Sequence, residues 1–153
     1  MIEVKMNNVI VSDAQFLFAP AAYNGDVKYK LEINIPKDNQ QLRELIAALV
    51  KEIRANFSST VGLNNPLIDC DKPGVSLSFW FQKNSYALRL NSKYQPRVTT
   101  LAGKRIEETD NLIVPGCLVN VSFKIQAYNI DGNKIISRYL NSVTYVKAGQ
   151  QAE

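Results

Sequence analysis

Seven cations, Lys72, Lys83, Arg89, Lys93, Arg97, Lys104 and Arg105, recur through residues 72–106 with no carboxylate among them, and Trp80, Tyr86 and Tyr94 fall in between. A one-signed strip interleaved with rings suits a polyanion with stackable bases, because cations track phosphates while aromatic faces take bases. The same pattern also describes the solvated face of a sheet, and at this level both readings stand. Acidic residues gather just afterwards, at Glu107, Glu108 and Asp110. These are the one set reminiscent of a nuclease magnesium site. Neighbouring residues of a strand point to opposite faces, however, so Glu107 and Glu108 are poorly placed to share an ion.

Other chemistry is hard to place. The chain has no histidine, no GxSxG elbow, no GxxxxGK phosphate loop and no dinucleotide glycine fingerprint. Cys70 and Cys117 lack CxxC spacing, and without histidine no zinc set can be assembled. Both read as small buried hydrophobes. The expectation is a binding protein rather than an enzyme, with no cofactor and no metal.

The elements that must position these residues are mostly strands. Residues 112–146 form two long alternating runs around Asn129-Ile130-Asp131-Gly132-Asn133. Val119, Val121, Phe123, Ile125 and Ala127 share one side of the first run, and Leu118, Asn120, Ser122, Lys124, Gln126 and Tyr128 the other. Such period-2 patterning predicts a half-buried hairpin, with Asp131-Gly132 reversing the chain. Residues 27–35 alternate as cleanly, with Val27, Tyr29, Leu31, Ile33 and Ile35 on one face and Lys28, Lys30, Glu32 and Asn34 on the other. Further strands are expected over residues 9–18, 76–81, 86–94 and 97–100, with residues 1–8 as a lead-in or edge strand. Asn24-Gly25-Asp26 is a hairpin turn signal. In residues 76–81, Leu77, Phe79 and Phe81 oppose Ser78 and Trp80. Residues 65–74 read as a long irregular connection.

One helix is expected, capped by Asp38 with Gln41 in the reciprocal position of a capping box. Its apolar stripe is Leu45, Ile46, Leu49, Val50, Ile53 and Phe57. The stripe suits a lid over a barrel end. Together these elements predict a mainly β chain, an OB-fold-like barrel with one substantial amphipathic helix, since closure removes sticky edges.

At 153 residues, 46% hydrophobic and 21% charged, the chain is one domain's worth of globular protein. We expect a domain over residues 1–146 and a polar tail over residues 147–153. No apolar run approaches the roughly 20 residues of a membrane span. No signal peptide is evident, which makes the cytoplasm the expected compartment. The net charge of +4 is modest, and such charge concerns partners more than fold.

A binding surface remains as the best reading. The outward positions supply Lys28, Lys30, Arg89, Asn91, Lys93, Lys124, Gln126, Tyr128 and Arg138, and Arg97 belongs to the same cationic strip. Tyr86, Tyr94 and Tyr139 fit either half-buried packing or base stacking. Trp80 fits either core or stacking platform.

The order of several features resembles one family. Lys28-Tyr29 leads to Ile35-Pro36-Lys37 and an amphipathic helix. A run from Tyr86 to Tyr94 then ends near Pro96. Pro115-Gly116-Cys117 follows, then Ala127-Tyr128-Asn129, Gly132, Leu140, Val143 and Gly149. In this the chain resembles the phage-encoded single-stranded-DNA-binding proteins. The resemblance implies an OB fold and sequence-independent binding that protects exposed strands during phage replication and recombination. It also implies self-association, a dimer being the simplest form, and contact with phage replication or recombination proteins. Two departures stand out. Members commonly carry an acidic C-terminal tail, whereas only Glu153 is acidic here, and the helix follows the second strand rather than the third. A phage structural or assembly barrel that binds its own copies is the alternative, its exposed rings then being subunit contacts.

Overall fold

The computed structural model describes residues 1–23 and 25–149. Eight strands and one α-helix follow in the order β1 (Ile2–Asp13), β2 (Ala21–Tyr23), β3 (Asp26–Pro36), α1 (Gln41–Asn56), β4 (Leu67–Asp69), β5 (Ser85–Ser92), β6 (Arg97–Thr100), β7 (Leu118–Ile130) and β8 (Asn133–Lys147). The β7–β8 hairpin forms as its alternation predicts. Its inward residues Val119, Val121, Phe123, Ile125 and Ala127 are all buried. The reversal uses two positive φ angles, 52° at Asp131 and 82° at Gly132. That pair matches the right-handed twist of the flanking strands.

β1 pairs with β7 on one side and β3 on the other, β3 pairs with β5, and β5 meets β8 in parallel at Asn91↔Tyr139. The result is a closed ring, β1–β3–β5–β8–β7. Counted in chain order, its first strand lies between the second and fourth, and its third and fifth run parallel. This is the OB arrangement expected of the sequence. α1 lies between the second and third ring strands, where its spacing in the chain put it.

Helix and ring share one core. Leu42, Leu45 and Leu49 are buried with Met6, Leu31, Ile33, Leu88, Phe123 and Ile125. Each such side chain contributes roughly 1.5–3 kcal/mol by leaving water. α1 packs on β7 and β1. Glu52 is buried on it, and its Oε1 accepts the Ala127 N–H at 3.0 Å. β1 has its last pairing with β7 at Ile2↔Ile125, so this carboxylate takes over a donor that the neighbouring strand no longer reaches.

Several local expectations are corrected. The first strand covers Ile2–Asp13 rather than residues 9–18, because Asp13 Oδ1 accepts the Gln15 N–H at 3.0 Å and turns the chain. Asn39, not Asp38, holds the helix start, its Oδ1 accepting the Gln41 N–H at 2.8 Å. Gln41 does not close a capping box; its amide instead exchanges hydrogen bonds with the Asn7 backbone, tying α1 to a bulge in β1. Residues 76–81 form no strand. β3 occupies one edge of β5 over its length and β4 and β8 share the other, so the segment has no edge to join. Within the connection read as irregular, Leu67–Asp69 pairs as β4, and Lys37 clamps it with ion pairs to Asp69 and Asp71 at 2.8 and 2.9 Å. Asn24 and residues 150–153, which include most of the expected tail, lie outside the described residues. No helix among the described residues is long and apolar enough to cross a membrane.

β3 and β5 are stapled by charge as well as by backbone. Glu32, 5% exposed, accepts Arg89 Nε at 3.0 Å on one oxygen and Ser12 Oγ at 2.8 Å on the other. Arg89 Nη2 in turn donates to the Ser76 carbonyl at 2.9 Å. Arg89→Ala strands the buried carboxylate and is expected to cost about 2 kcal/mol, less than a fully buried pair because Arg89 is half in solvent. Glu32→Gln added to Arg89→Ala is expected to recover much of that loss. Urea denaturation of the single and double variants checks this, and simple additivity would contradict it.

Candidate nucleic-acid interface

Strand register decides which of the candidate residues meet. Lys30 is the partner of Asn91, Asn91 of Tyr139, Tyr139 of Lys124. Partnered residues share a face. Lys30, Asn91, Tyr139 and Lys124 therefore form one row across β3, β5, β8 and β7, on the side of the ring opposite the buried Leu31, Leu90, Phe123 and Ile125. At about 4.8 Å between strands the row is roughly 14 Å long. Lys28 and Tyr128 extend it by alternation along β3 and β7. Arg97 joins the same face through Ser142 and Ser122.

Tyr139 is the electrostatic centre of the row. Its Oη shares a hydrogen bond with Tyr128 Oη at 3.1 Å. Burial alone would raise its phenol. Hydrogen bonds from Ser137 and Tyr128, with the nearby cations of Lys93 and Lys28, outweigh burial and leave it below the usual tyrosine value. Tyr128 moves the opposite way, raised first by its bond to Tyr139 and then by desolvation. Lys28 lies on β3 and Lys93 just past the end of β5, and both act to lower the Tyr139 phenol.

Beside the row lies a cleft of about 520 Å³. Lys28, Lys30, Arg89, Asn91 and Arg138 line it, together with Asp13, Phe16, Leu77 and Ser78, which the sequence reading did not single out. Phe16 was assigned to a strand, yet its carbonyl accepts the Lys30 N–H at 2.9 Å from the turn after β1. Leu77 and Ser78 sit on the segment that failed to become a strand. Phe79, expected to share a side with Leu77 and Phe81, is fully exposed on that segment.

Other candidates fall elsewhere. Tyr86 partners Ile35 and so faces the core and α1, where Lys37 Nζ lies 5.4 Å from its ring centroid. It is not on the row, a result already implicit in its even spacing from Leu88 and Leu90. Arg138 was expected to point outward, but it partners Ile125 and stands between buried Ile136 and Leu140 on the inward side. Trp80 is half-buried over Gly116, where an added Cβ would sit 3.6 Å from Trp80 Cζ2. Tyr94 is 82% exposed beyond the end of β5, beside exposed Lys93.

The acid-free strip is not one-signed in space. Arg89 is held by Glu32 and Arg105 Nε by Glu107 at 3.2 Å. Glu107 and Asp110 form a reciprocal capping box on the 3₁₀ turn Glu108–Asp110, which accounts for the acidic cluster. No group of three or more potential metal ligands occurs among the described residues. Cys70 and Cys117 are free and buried, and burial raises both thiols.

The arrangement can be set beside known proteins. Residues 2–152 match the family model described as Enterobacter phage Enc34, ssDNA-binding protein. Among solved structures, the single-stranded DNA-binding protein from bacteriophage Enc34 superposes with a TM-score of 0.72 at 20% identity, covering 99% of this chain and 84% of that one. The same phage protein in complex with ssDNA gives 0.75 at 19%, covering 99% and 89%. A single-stranded DNA-binding protein encoded by bacteriophage T7 gives 0.62 at 16%, covering 99% and 94%. At these identities the structural likeness speaks to the fold. A search of curated sequences finds no match. By the match over nearly its whole length, the chain belongs to the Enterobacter phage Enc34 ssDNA-binding protein family.

Proposed function

We propose that the chain binds single-stranded DNA, without sequence preference and without catalysis, along the row Lys30, Asn91, Tyr139 and Lys124 and the adjoining cleft. The observation that carries this is the register that lines up these four side chains on one face of the ring. Family membership supports the activity, and the face agrees with where OB barrels take oligonucleotides, on their second and third strands, here β3 and β5. Lys28, Lys93 and Arg97 extend the cationic path. Tyr94 and Phe79 offer free rings at its margins, since every base has a face to stack. The same reading places the protein in the cytoplasm of a phage-infected bacterium, protecting strands exposed in replication and recombination. Self-association and contacts with other replication proteins belong to it too. The assembly-barrel alternative accounts for the strands but not for the family.

Two outcomes are expected. Lys30→Ala with Lys124→Ala weakens binding to every sequence alike and makes the log–log salt slope shallower by about 1.4, at about 0.7 per phosphate contact. Lys51→Ala on the exposed side of α1 leaves the slope unchanged. Fluorescence titration with oligo(dT) at several salt concentrations measures both. Phe79→Ala, on a ring that supports no core, is expected to lose about 1–3 kcal/mol of affinity at an unaltered slope and an unaltered melting temperature. Restored binding in Phe79→Trp but not Phe79→Leu would identify stacking rather than general apolar contact.

A further inference from the structure

Arg138 is the one cation that the fold places against its own pattern. Its neighbours in β8 on the same side, Ile136 and Leu140, are buried and aliphatic, and its cross-strand partner Ile125 is fully buried. An aliphatic residue would suit the position. Its guanidinium Nε–H is buried without an acceptor, and no carboxylate lies within ion-pair distance of the group among the described residues. Another cation, Arg89, lines the same cleft.

Two acids also line the cleft, and both are engaged. Glu32 is held by Arg89 and Ser12, and Asp13 Oδ1 by the Gln15 N–H. A charge partly withdrawn from water without a counter-ion weakens a fold, and a like charge near it adds to the cost. Burial, then Arg89, holds the Arg138 guanidinium below its usual value. Folding alone does not explain such a residue. A ligand that brings negative charge into the cleft does.

We infer that Arg138 is an anion-binding residue at the inner side of the cleft, there to hold one phosphate of the bound strand. The inference rests on the binding face proposed above and adds to it a site that the outward row does not contain. A guanidinium presents a planar fork of donors that matches two phosphate oxygens at once, which an ammonium cannot do. Lys28 and Lys30 line the same cleft and would hold the flanking backbone. The surface row then steers and tracks the strand, while Arg138 fixes one phosphate beneath it.

Stability and affinity should therefore move in opposite directions when the charge is removed. The full chain carrying Arg138→Met is expected to be at least as stable to urea as the parent. It should bind oligo(dT) roughly tenfold or more weakly. Its log–log salt slope should be shallower by about 0.7. Arg138→Lys should keep the slope yet not the whole affinity. In the parent, the Arg138 Nε–H resonance should move on addition of oligo(dT). An Arg138→Met protein that loses stability while keeping the parental slope, or an Nε–H signal unmoved at saturation, would overturn the inference and make the residue a structural one. A parent that binds no oligo(dT) at all would instead overturn the binding face itself, and the inference with it.

Discussion

A single parallel pairing, Asn91 with Tyr139, closes the ring. Without it the β7–β8 hairpin and the β3–β5 pair would be joined only through β1, and their outer faces would belong to different surfaces. With it, Lys30 and Asn91 become neighbours of Tyr139 and Lys124. The pairing is short because β8 divides its free edge. β5 takes one point of it and β6 the next four, from Arg97↔Ser142 to Thr100↔Tyr145. β5 and β8 pair at that point alone, and Asn91 there lines the cleft together with Arg138. Closure thus makes both the continuous row and the gap.

Charge placement matters more here than charge total. A net +4 would not distinguish this chain from many globular proteins. What does is the division between cations that hold the fold and cations left to solvent. Lys37 is committed to Asp69 and Asp71, Arg89 to Glu32, Arg105 to Glu107. Lys28, Lys30, Lys93, Arg97 and Lys124 are in no ion pair among the described residues, and they lie along one path. Charges of this second kind neutralise phosphates by releasing counter-ions, which is why salt dependence is their signature. The committed pairs serve the same surface indirectly: the Glu32–Arg89 staple fixes the register of β3 against β5 and anchors the segment bearing Leu77, Ser78 and Phe79.

Period-2 alternation made the largest elements legible. It gave β3 and β7 with their faces and β8 as the partner of β7 in the hairpin, and hence Lys28, Lys30, Lys124 and Tyr128. Alternation also contained the correct side for Tyr86, whose phase with Leu88 and Leu90 outweighs the appeal of its ring. It failed over residues 76–81 because a strand needs an edge as well as a pattern, and β5 had none to offer. Arg138 was misread for a different reason. A β8 bulge lies at Asn141, between the Leu140 and Ser142 pairings, so faces counted back from buried Val143 slip by one before they reach it. The cleft was not legible at all, since Asp13 and Phe16, Leu77, and Arg138 come from three separated stretches that only ring closure brings together. Nor could spacing show which cations of the acid-free strip would meet carboxylates from outside it.

The account stands on the four-strand row being the surface that meets DNA. At 17.2 kDa the protein suits amide NMR, and titration with an unlabelled oligo(dT) reads every strand at once. The account predicts that the amides of Lys30, Asn91, Lys124 and Tyr139 shift together and saturate at one affinity, while those along the exposed side of α1, at Ile46 and Val50, stay in place. Shifts confined to α1, or to one half of the ring without the other, would contradict it.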